Sequence, residues 1–265
     1  MSGFSPELLA ERTVLVTGGG SGIGLACAHL MGGLGARVAI ASRSQERLDG
    51  AAEALAAEGV DVFPHACDIR ELDSIQTLLD AIEERWGGVD ILVNNAGGQF
   101  PSPAQFIKPK GWDAVVRNNL NGTFYMTQAV ANRFLIPGDG GVIVNIIANV
   151  FRGFPGMAHT GAARAGVDNL TKTLAVEWCM HGVRVNAVAP GVINSSGMAQ
   201  YPPELVAAAT KQIPMKRMGS CEEVADVVTF LASPLASYIT GETVYIDGGN
   251  RLWGSSWIIP DPETP

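Results

Sequence analysis

The chain has little of what marks a secreted, membrane-embedded or nucleic-acid-binding protein. Only four of its 265 residues are cysteine. Cys27, Cys67, Cys179 and Cys221 are far apart and form no CxxC pair, so neither a disulfide framework nor a thiolate metal site is expected; they read as reduced, small, mostly buried residues. No apolar run approaches the ~20 residues of a membrane span, and the first ten residues lack the basic and apolar regions of a leader. The final Pro262-Glu-Thr-Pro265 is not a peroxisomal or retention tail. A cytoplasmic location is the expectation. Basic residues number 18 against 26 acidic ones, for a net charge of -8, which argues against a nucleic-acid partner because phosphate contacts need a basic surface. It does not argue against an anionic cofactor, which helix N-termini and a few local guanidinium groups can hold.

With 47% hydrophobic and 17% charged residues, the sequence is that of a globular protein of ordinary composition. Short β-branched runs at residues 13–17, 37–41, 60–63, 89–93, 142–146, 183–188 and 243–246 read as strands. Helical patterns lie between them, at 22–34 and 45–58 most clearly. Apolar strands alternating with helices predict an α/β fold: a single Rossmann-like, doubly wound parallel sheet flanked by helices on both faces, over residues 1–265. Breaks at 101–111, 137–141 and 190–203 read as loops at strand ends. In such folds ligands sit beyond the carboxyl ends of the strands. The first and last of these loops follow strands and could border a substrate site.

Thr17-Gly-Gly-Gly-Ser-Gly-Ile-Gly24 follows the first strand and opens a helix. Glycines there allow a tight turn and close approach to a pyrophosphate, and the helix N-terminus supplies N–H groups. The spacing Gly18-x3-Gly22-x-Gly24 differs from the common GxGxxG. The second strand ends Ala41-Ser-Arg43. Sites for NAD place an acid about here to bind the ribose 2′-hydroxyl, whereas Ser42 and Arg43 suit a 2′-phosphate, so NADP(H) is the expected cofactor.

At this point a resemblance enters. The chain resembles the short-chain dehydrogenase/reductase family over nearly its whole length, through Thr17 to Gly24, Cys67-Asp-Ile69, Asn94-Asn-Ala-Gly97, Asn118-Asn-Leu120, Pro190-Gly191 and Asp247-Gly-Gly249. The resemblance implies that Asn94 braces the sheet. It implies that the cofactor is held by Thr17, Gly18, Ser21, Gly22, Ile23 and Gly24; by Ser42, Arg43, Asp68 and Ile69, with Asp68 at the adenine; by Asn95, Ala96 and Gly97; by Arg164; and by Pro190, Gly191 and Val192. It also implies a homotetramer.

Most of the family uses a Ser, a Tyr and a Lys four residues after the Tyr, which helical spacing puts on one face. Aligned on Gly161-Ala-Ala-Arg-Ala-Gly166, Thr160 takes the Tyr position and Arg164 the Lys position. Ala148 takes the Ser position, and Asn119 matches the fourth catalytic residue. None of Tyr125, Tyr201, Tyr238 and Tyr245 has a Lys four residues on. An aliphatic hydroxyl is a far weaker acid than a phenol, and a guanidinium keeps its proton, so Tyr-driven carbonyl reduction is not supported. Reduction of the C=C bond of an enoyl thioester tolerates this loss, because the charge develops on the thioester oxygen, which needs hydrogen-bond donors more than a strong acid. The chain resembles the trans-2-enoyl-CoA and 2,4-dienoyl-CoA reductase branch, where Ser replaces the Tyr. It shares Gly98-Gln-Phe100, Gly153-Phe-Pro155 and Gly161 to Val167 with the former, but has Asp168 where that enzyme carries a Tyr.

The expected catalytic set is Asn119, Thr160 and Arg164, with Gln99, Phe100, Ala148 and Tyr201 at the substrate, possible acyl-CoA as its class, and residues 194–212 as a lid. Thr160 reads equally as a helix cap, Arg164 as a surface ion pair, Asn119 as an exposed helix residue, and His159 as structural or as a proton donor. Trp253, Trp257, Ile258 and Ile259, in the tail 250–265, read as anchors for a subunit interface or an acyl site. Carbonyl or alcohol oxidation–reduction on apolar substrates such as terpenoids, and cofactor binding without turnover, remain alternatives.

Overall fold

Successive residues of a strand point to opposite faces, and here both faces are apolar. In Val14-Leu-Val16, the two valines enter one core and Leu15 the other, as expected of a sheet covered on both sides. The computed structural model describes residues 3–195, 197–198 and 202–252. The strands are β1 (Thr13–Thr17), β2 (Arg37–Ser42), β3 (Val62–Ala66), β4 (Ile91–Asn94), β5 (Gly141–Ile146), β6 (Val183–Pro190), β7 (Ile193–Asn194), β8 (Gly219–Ser220) and β9 (Thr243–Ile246). The helices are α1 (Gly22–Gly33), α2 (Gln45–Ala57), α3 (Leu72–Trp86), α4 (Pro109–Val116), α5 (Gly122–Val130), α6 (Ala158–Glu177), α7 (Pro203–Lys211) and α8 (Cys221–Ala232).

Seven strands form one parallel sheet in the order β3-β2-β1-β4-β5-β6-β9, and β7 and β8 make a separate short pair. One core layer joins α1, α2 and α8 to the sheet through Cys27, Met31, Leu48, Leu55, Val224 and Val228. The other joins α3, α5 and α6 through Ile75, Leu78, Ile82, Met126, Val130 and Leu174. The chain reverses direction of strand order between β1 and β4, and a crevice opens there at the carboxyl ends.

β3 runs two to three residues later than its apolar pattern predicts. Gly59, at φ +86°, ends α2, and Val60 is spent on that helix end, its N–H donating to the Leu55 carbonyl. The strand therefore contains Pro64. Cys67 N–H donates to Ser42 O, so the two-residue period assigns the Pro64 nitrogen to the outward side of this edge strand, where no ladder bond is lost. The Ala66 N–H, also outward, donates to the Gln45 side chain at 3.0 Å.

Two features did not show in the pattern. The long helix from residue 109 to 135 contains two wide turns, Arg117–Asn121 and Ala131–Leu135, with π-type hydrogen bonding. And a chain of buried amides and hydroxyls crosses the second core. Asn94 Nδ2 donates to Thr127 Oγ1 at 2.7 Å and to Asn145 Oδ1 at 2.9 Å, and Asn145 Nδ2 donates to Thr171 Oγ1 at 2.9 Å. It locks β4, β5, α5 and α6 together, in keeping with Asn94 as a brace. No helix among the described residues is long and apolar enough to cross a membrane. Tyr201 and the tail aromatics Trp253 and Trp257, with Ile258 and Ile259, lie outside the described residues.

Asn94→Ala should strand Thr127 and Asn145 in a dry core and destabilise the protein by about 2–3 kcal/mol. Urea unfolding followed by circular dichroism measures it; a loss of under about 0.5 kcal/mol, the size of an ordinary surface change, would show that the chain of bonds does not brace the sheet.

Candidate active site

The crevice is held open by one tightly tied seam. Thr17 ends β1 with its side chain buried. Its Oγ1 accepts from the N–H groups of Asn95 and Ala96, each at 3.0 Å. Asn95 Nδ2 donates to the carbonyls of Thr17 and Gly18 at 2.9 and 3.1 Å. Gly18 and Gly22 adopt φ of +66° and +55°, which side chains resist. A Cβ on Gly24 would lie 2.4 Å from both Gly18 O and Asn95 Nδ2. The glycines of this motif thus let α1 start directly beneath the β1 end. Ser21 is the N-cap of α1, and its side chain makes no capping bond, leaving the first N–H groups facing the crevice, where an anion is favoured.

A cleft of about 500 Å³ continues from there, lined by Gly18, Ser21, Ser42, Arg43, Asp68 and Asn95 among others. Arg43 is exposed and precedes Ser44, which caps α2 through its bond from Arg47 N–H at 3.3 Å. Arg47 also lines the cleft; sequence reading missed it, although its place four residues after Arg43 was visible. Asn118 was missed too. The Asp68 carboxylate accepts from Arg70 Nε at 2.8 Å and from its terminal nitrogen at 2.5 Å. Those bonds, with Arg43 nearby, hold its pKa below the usual carboxylate range. Ile69, Ala96 and Gly97 complete the wall. A tight glycine turn, an open helix N-terminus and two guanidinium groups fit a nicotinamide dinucleotide, with Thr17 and Gly24 as its internal supports.

Asn119 is buried, not exposed, and sits in the first wide turn. That turn frees the Val115 carbonyl, which accepts from Asn119 Nδ2 at 2.9 Å as expected where a helix widens. The same amide clamps Gly98, donating to its carbonyl at 2.7 Å and accepting from its N–H at 3.2 Å. Arg164, on α6, is no surface ion pair. It is 8% exposed, and its Nη1 is buried without a partner. Burial pushes its pKa down to about 10. A Cβ on Gly97 would lie 2.2 Å from Arg164 Nη2 and 2.7 Å from Asn119 Oδ1. Gly97, on the cleft wall, therefore leaves the room that the guanidinium occupies behind it.

On its other side Arg164 lines an apolar pocket of about 620 Å³, with Gln99, Ala148, Pro190, Gly191 and Val192. Ile23, expected at the cofactor, faces this pocket. So do Val206 and Ala209 of α7, which lie within the expected lid, and the unforeseen Asn149, Ser195 and Asn250. Among the described residues that line it there is no Tyr, His, Cys, Asp or Glu.

Three placements differ from the reading of the sequence. Thr160 is not the helix cap, which is Met157. Nor does its hydroxyl line either cavity; it is 1% exposed, with Oγ1 3.2 Å from His159 Nδ1, because an aliphatic side chain is too short to span the distance a phenol covers. His159 Nδ1 also accepts from Thr160 N–H at 2.8 Å. Burial lowers its pKa, and its Nε2 is buried without a partner. Phe100 does not line the pocket either: it packs edge-on to His159, ring centres 4.5 Å apart. At the position where the enoyl branch has Tyr, burial tends to raise the pKa of Asp168, but bonds from Lys172 and Thr243, at 2.5 Å each, leave it lowered. The buried Cys27 and Cys67 thiols are pushed up to about 12 and about 11 by burial and are not nucleophiles; Cys179 alone is exposed.

A larger cavity, of about 760 Å³, lies at the amino ends of the strands, away from this chemistry. Of its cations, Arg12 pairs with Asp90, Arg133 with Asp80 and Glu83, and Arg184 with backbone carbonyls, while Arg37 donates to the Glu11 carbonyl and keeps its Nε buried without a partner.

A doubly wound sheet with a glycine turn at its switch point, and a pocket beside the same crevice, defines the chain as a dinucleotide-dependent oxidoreductase. Comparison with known proteins narrows the class. The family model described as enoyl-(acyl carrier protein) reductase matches residues 18–251. The peroxisomal 2,4-dienoyl-CoA reductase of Rattus norvegicus is 38% identical over 94% of this chain and 87% of its own length. A 3-oxoacyl-[acyl-carrier-protein] reductase of Thermotoga maritima is 38% identical over 91% and 98%. Among solved structures, the citronellol catabolism dehydrogenase of Pseudomonas aeruginosa is 45% identical, with a TM-score of 0.85, covering 94% of this chain and 99% of that one. The chain belongs to the short-chain dehydrogenase/reductase family, whose members use nicotinamide cofactors.

A buried cation without a counter-charge destabilises the ligand-free fold. Arg164→Met should therefore stabilise the ligand-free protein by about 1–3 kcal/mol, read in calorimetry as a rise in Tm of roughly 3–8 °C. A fall in Tm would mean that the guanidinium is satisfied within the protein.

Proposed function

We propose that this chain is an NADPH-dependent reductase of the C=C bond of a 2-enoyl-CoA-type thioester. The observation that carries the reading is Arg164: a buried, unpartnered guanidinium on the wall of an apolar pocket whose described lining holds no phenol, imidazole, thiol or carboxyl group. Such a site is poor in acids and rich in positive field. It suits a reaction whose transition state builds negative charge on an oxygen without requiring that oxygen to be protonated at once.

A nicotinamide dinucleotide held in the cleft supplies the hydride. Arg43 and Arg47 bind its 2′-phosphate; Ser21 and the α1 N-terminus bind the pyrophosphate. Asn119, by clamping Gly98, keeps Gly97 in place and so keeps the room that Arg164 occupies. As the β-carbon is reduced, Arg164 donates to the thioester oxygen, where the enolate charge gathers. Ala148, lacking a side-chain donor, leaves that role to the guanidinium. The α-carbon then takes its proton from water. Thr160, turned back to His159, does not itself touch the substrate.

A second reading rests on the 45% identity to a citronellol catabolism dehydrogenase: oxidation or reduction of an apolar alcohol or aldehyde in the same pocket, with water as the acid. Following NADPH absorbance with crotonyl-CoA, 2-octenoyl-CoA, 2,4-decadienoyl-CoA and citronellal, and NADP+ reduction with citronellol, separates the two. Turnover confined to the thioesters is the expected result. Turnover confined to citronellol and citronellal establishes the second reading, and tight NADPH binding without turnover of any of them makes the chain a binding protein. Arg164→Met should lower kcat on the thioester by about 100- to 1,000-fold. Replacing Arg43 and Arg47 together with alanine should raise the KM for NADPH by about 10- to 100-fold and leave that for NADH within about threefold.

A further inference from the structure

We infer that Arg70 selects the cofactor through Asp68: by neutralising that carboxylate it lets a cleft with an acid in its wall accept a 2′-phosphate. The inference rests on the assignment of the cleft to NADPH and adds a positioning residue to it.

Asp68 shares one cavity with the cations proposed for the 2′-phosphate. Asp68, Ser42, Arg43 and Arg47 all line the cleft of about 500 Å³, whereas Arg70 is not among its lining residues. The Arg70 guanidinium meets the acid side-on, Nε donating to Oδ1 at 2.8 Å and its terminal nitrogen to Oδ2 at 2.5 Å. This is the two-point geometry that makes guanidinium–carboxylate pairs strong and well oriented. The neighbouring acid, Glu71, is engaged by Arg117 at 2.8 Å, which leaves the charge of Arg70 to Asp68.

The acid has a structural reason to be there. Its Oδ1 closes a turn with the Arg70 N–H at 3.0 Å, and its own N–H donates to Ser74 Oγ at 3.0 Å. These bonds tie the exit of β3 to α3 and shape Cys67, Asp68 and Ile69, all three in the cleft wall. The side effect is a negative charge on a site for a phosphate monoester, and like charges in one cleft repel. The chain meets this by pairing the acid instead of replacing it. The two side chains are 31% and 25% exposed, so the pair contributes little to folding. Its effect is on the field inside the cleft.

The test is calorimetric titration of the full-length protein with NADP+ and with NAD+, at about 50 mM salt, where charges are weakly screened. Four proteins are compared: the unaltered chain, Arg70→Met, Asp68→Asn and the double variant. Methionine removes the guanidinium and keeps the backbone N–H bond to Asp68. Arg70→Met should weaken NADP+ binding about five- to tenfold and NAD+ binding less than about twofold. Asp68→Asn, which removes the acid and leaves the cation, should raise the preference for NADP+ over NAD+ by about two- to fivefold. The double variant carries the same charge as the unaltered pair, and its preference should return to within about twofold of the original. At about 1 M salt, where the screening length is about 3 Å, the preference lost in Arg70→Met should shrink to under about twofold. Equal losses for the two cofactors in Arg70→Met overturn the inference and make the pair a structural clamp. So does a double variant as weak toward NADP+ as Arg70→Met. Should Arg70→Met not fold, Asp68→Asn decides alone, and an unchanged or falling preference for NADP+ overturns the inference. Tighter binding of NAD+ by the unaltered protein overturns the NADPH assignment, while a preference that still falls in Arg70→Met and returns in the double variant leaves the role of Arg70 standing. A preference for NADP+ that no variant changes does the opposite.

Discussion

Where β1 and β4 diverge, the Thr17 hydroxyl takes two successive N–H groups of the next strand's exit, and the Asn95 amide spans back to two carbonyls of the glycine turn. Everything functional here is built around this seam. It fixes the start of α1, and with it the N–H groups that face the cleft. It also sets the course of Asn95 to Gly98, along which Gly97 yields space to Arg164 and Gly98 is seized by Asn119. A doubly wound sheet opens a crevice at its switch point by topology alone. The seam converts that opening into a place with defined walls, because both strand ends are then held by short polar bonds instead of by loop entropy.

The second theme is the conflict between stability and chemistry around α6. The family's usual Tyr–Lys pair couples an acid to a cation that tunes it. In this chain the cation remains, as Arg164, while the acid is gone and Thr160 turns back to His159. The protein retains an unpartnered charge in a dry place, a configuration that folding alone would not select. Neighbouring residues make it tolerable: Gly97 leaves room for the guanidinium, and the apolar pocket gives access without flooding it.

The fold was readable in advance because strands buried on both sides and glycine-rich turns leave patterns at fixed periods, and the Gly18 to Gly24 motif stands where it can only join a strand to a helix. The site was readable in part. Asn119 and Arg164 were found through resemblance, but their burial was not, since nothing local distinguishes an exposed helical Asn from one that fills a widened turn. Thr160 and Phe100 were misplaced for the opposite reason: their positions along the chain are those of site residues, but the reach of each side chain, and its partner in His159, arise only in three dimensions. Arg47 was overlooked although its spacing from Arg43 was plain. The wide turns at Arg117–Asn121 and Ala131–Leu135 have no compositional mark, because a widened turn differs from an ordinary one only in which carbonyl accepts each N–H.

Pro64 carries a consequence of another kind. An edge strand with free outward donors is a template for any other extended chain, and parallel sheets form slowly enough to leave such edges bare while folding proceeds. On β3 the outward nitrogen of residue 64 has no hydrogen to offer, and that of residue 66 is occupied by Gln45. The border of the sheet at β3 therefore presents a broken row of donors, a weaker template for another extended chain than an unbroken edge would be.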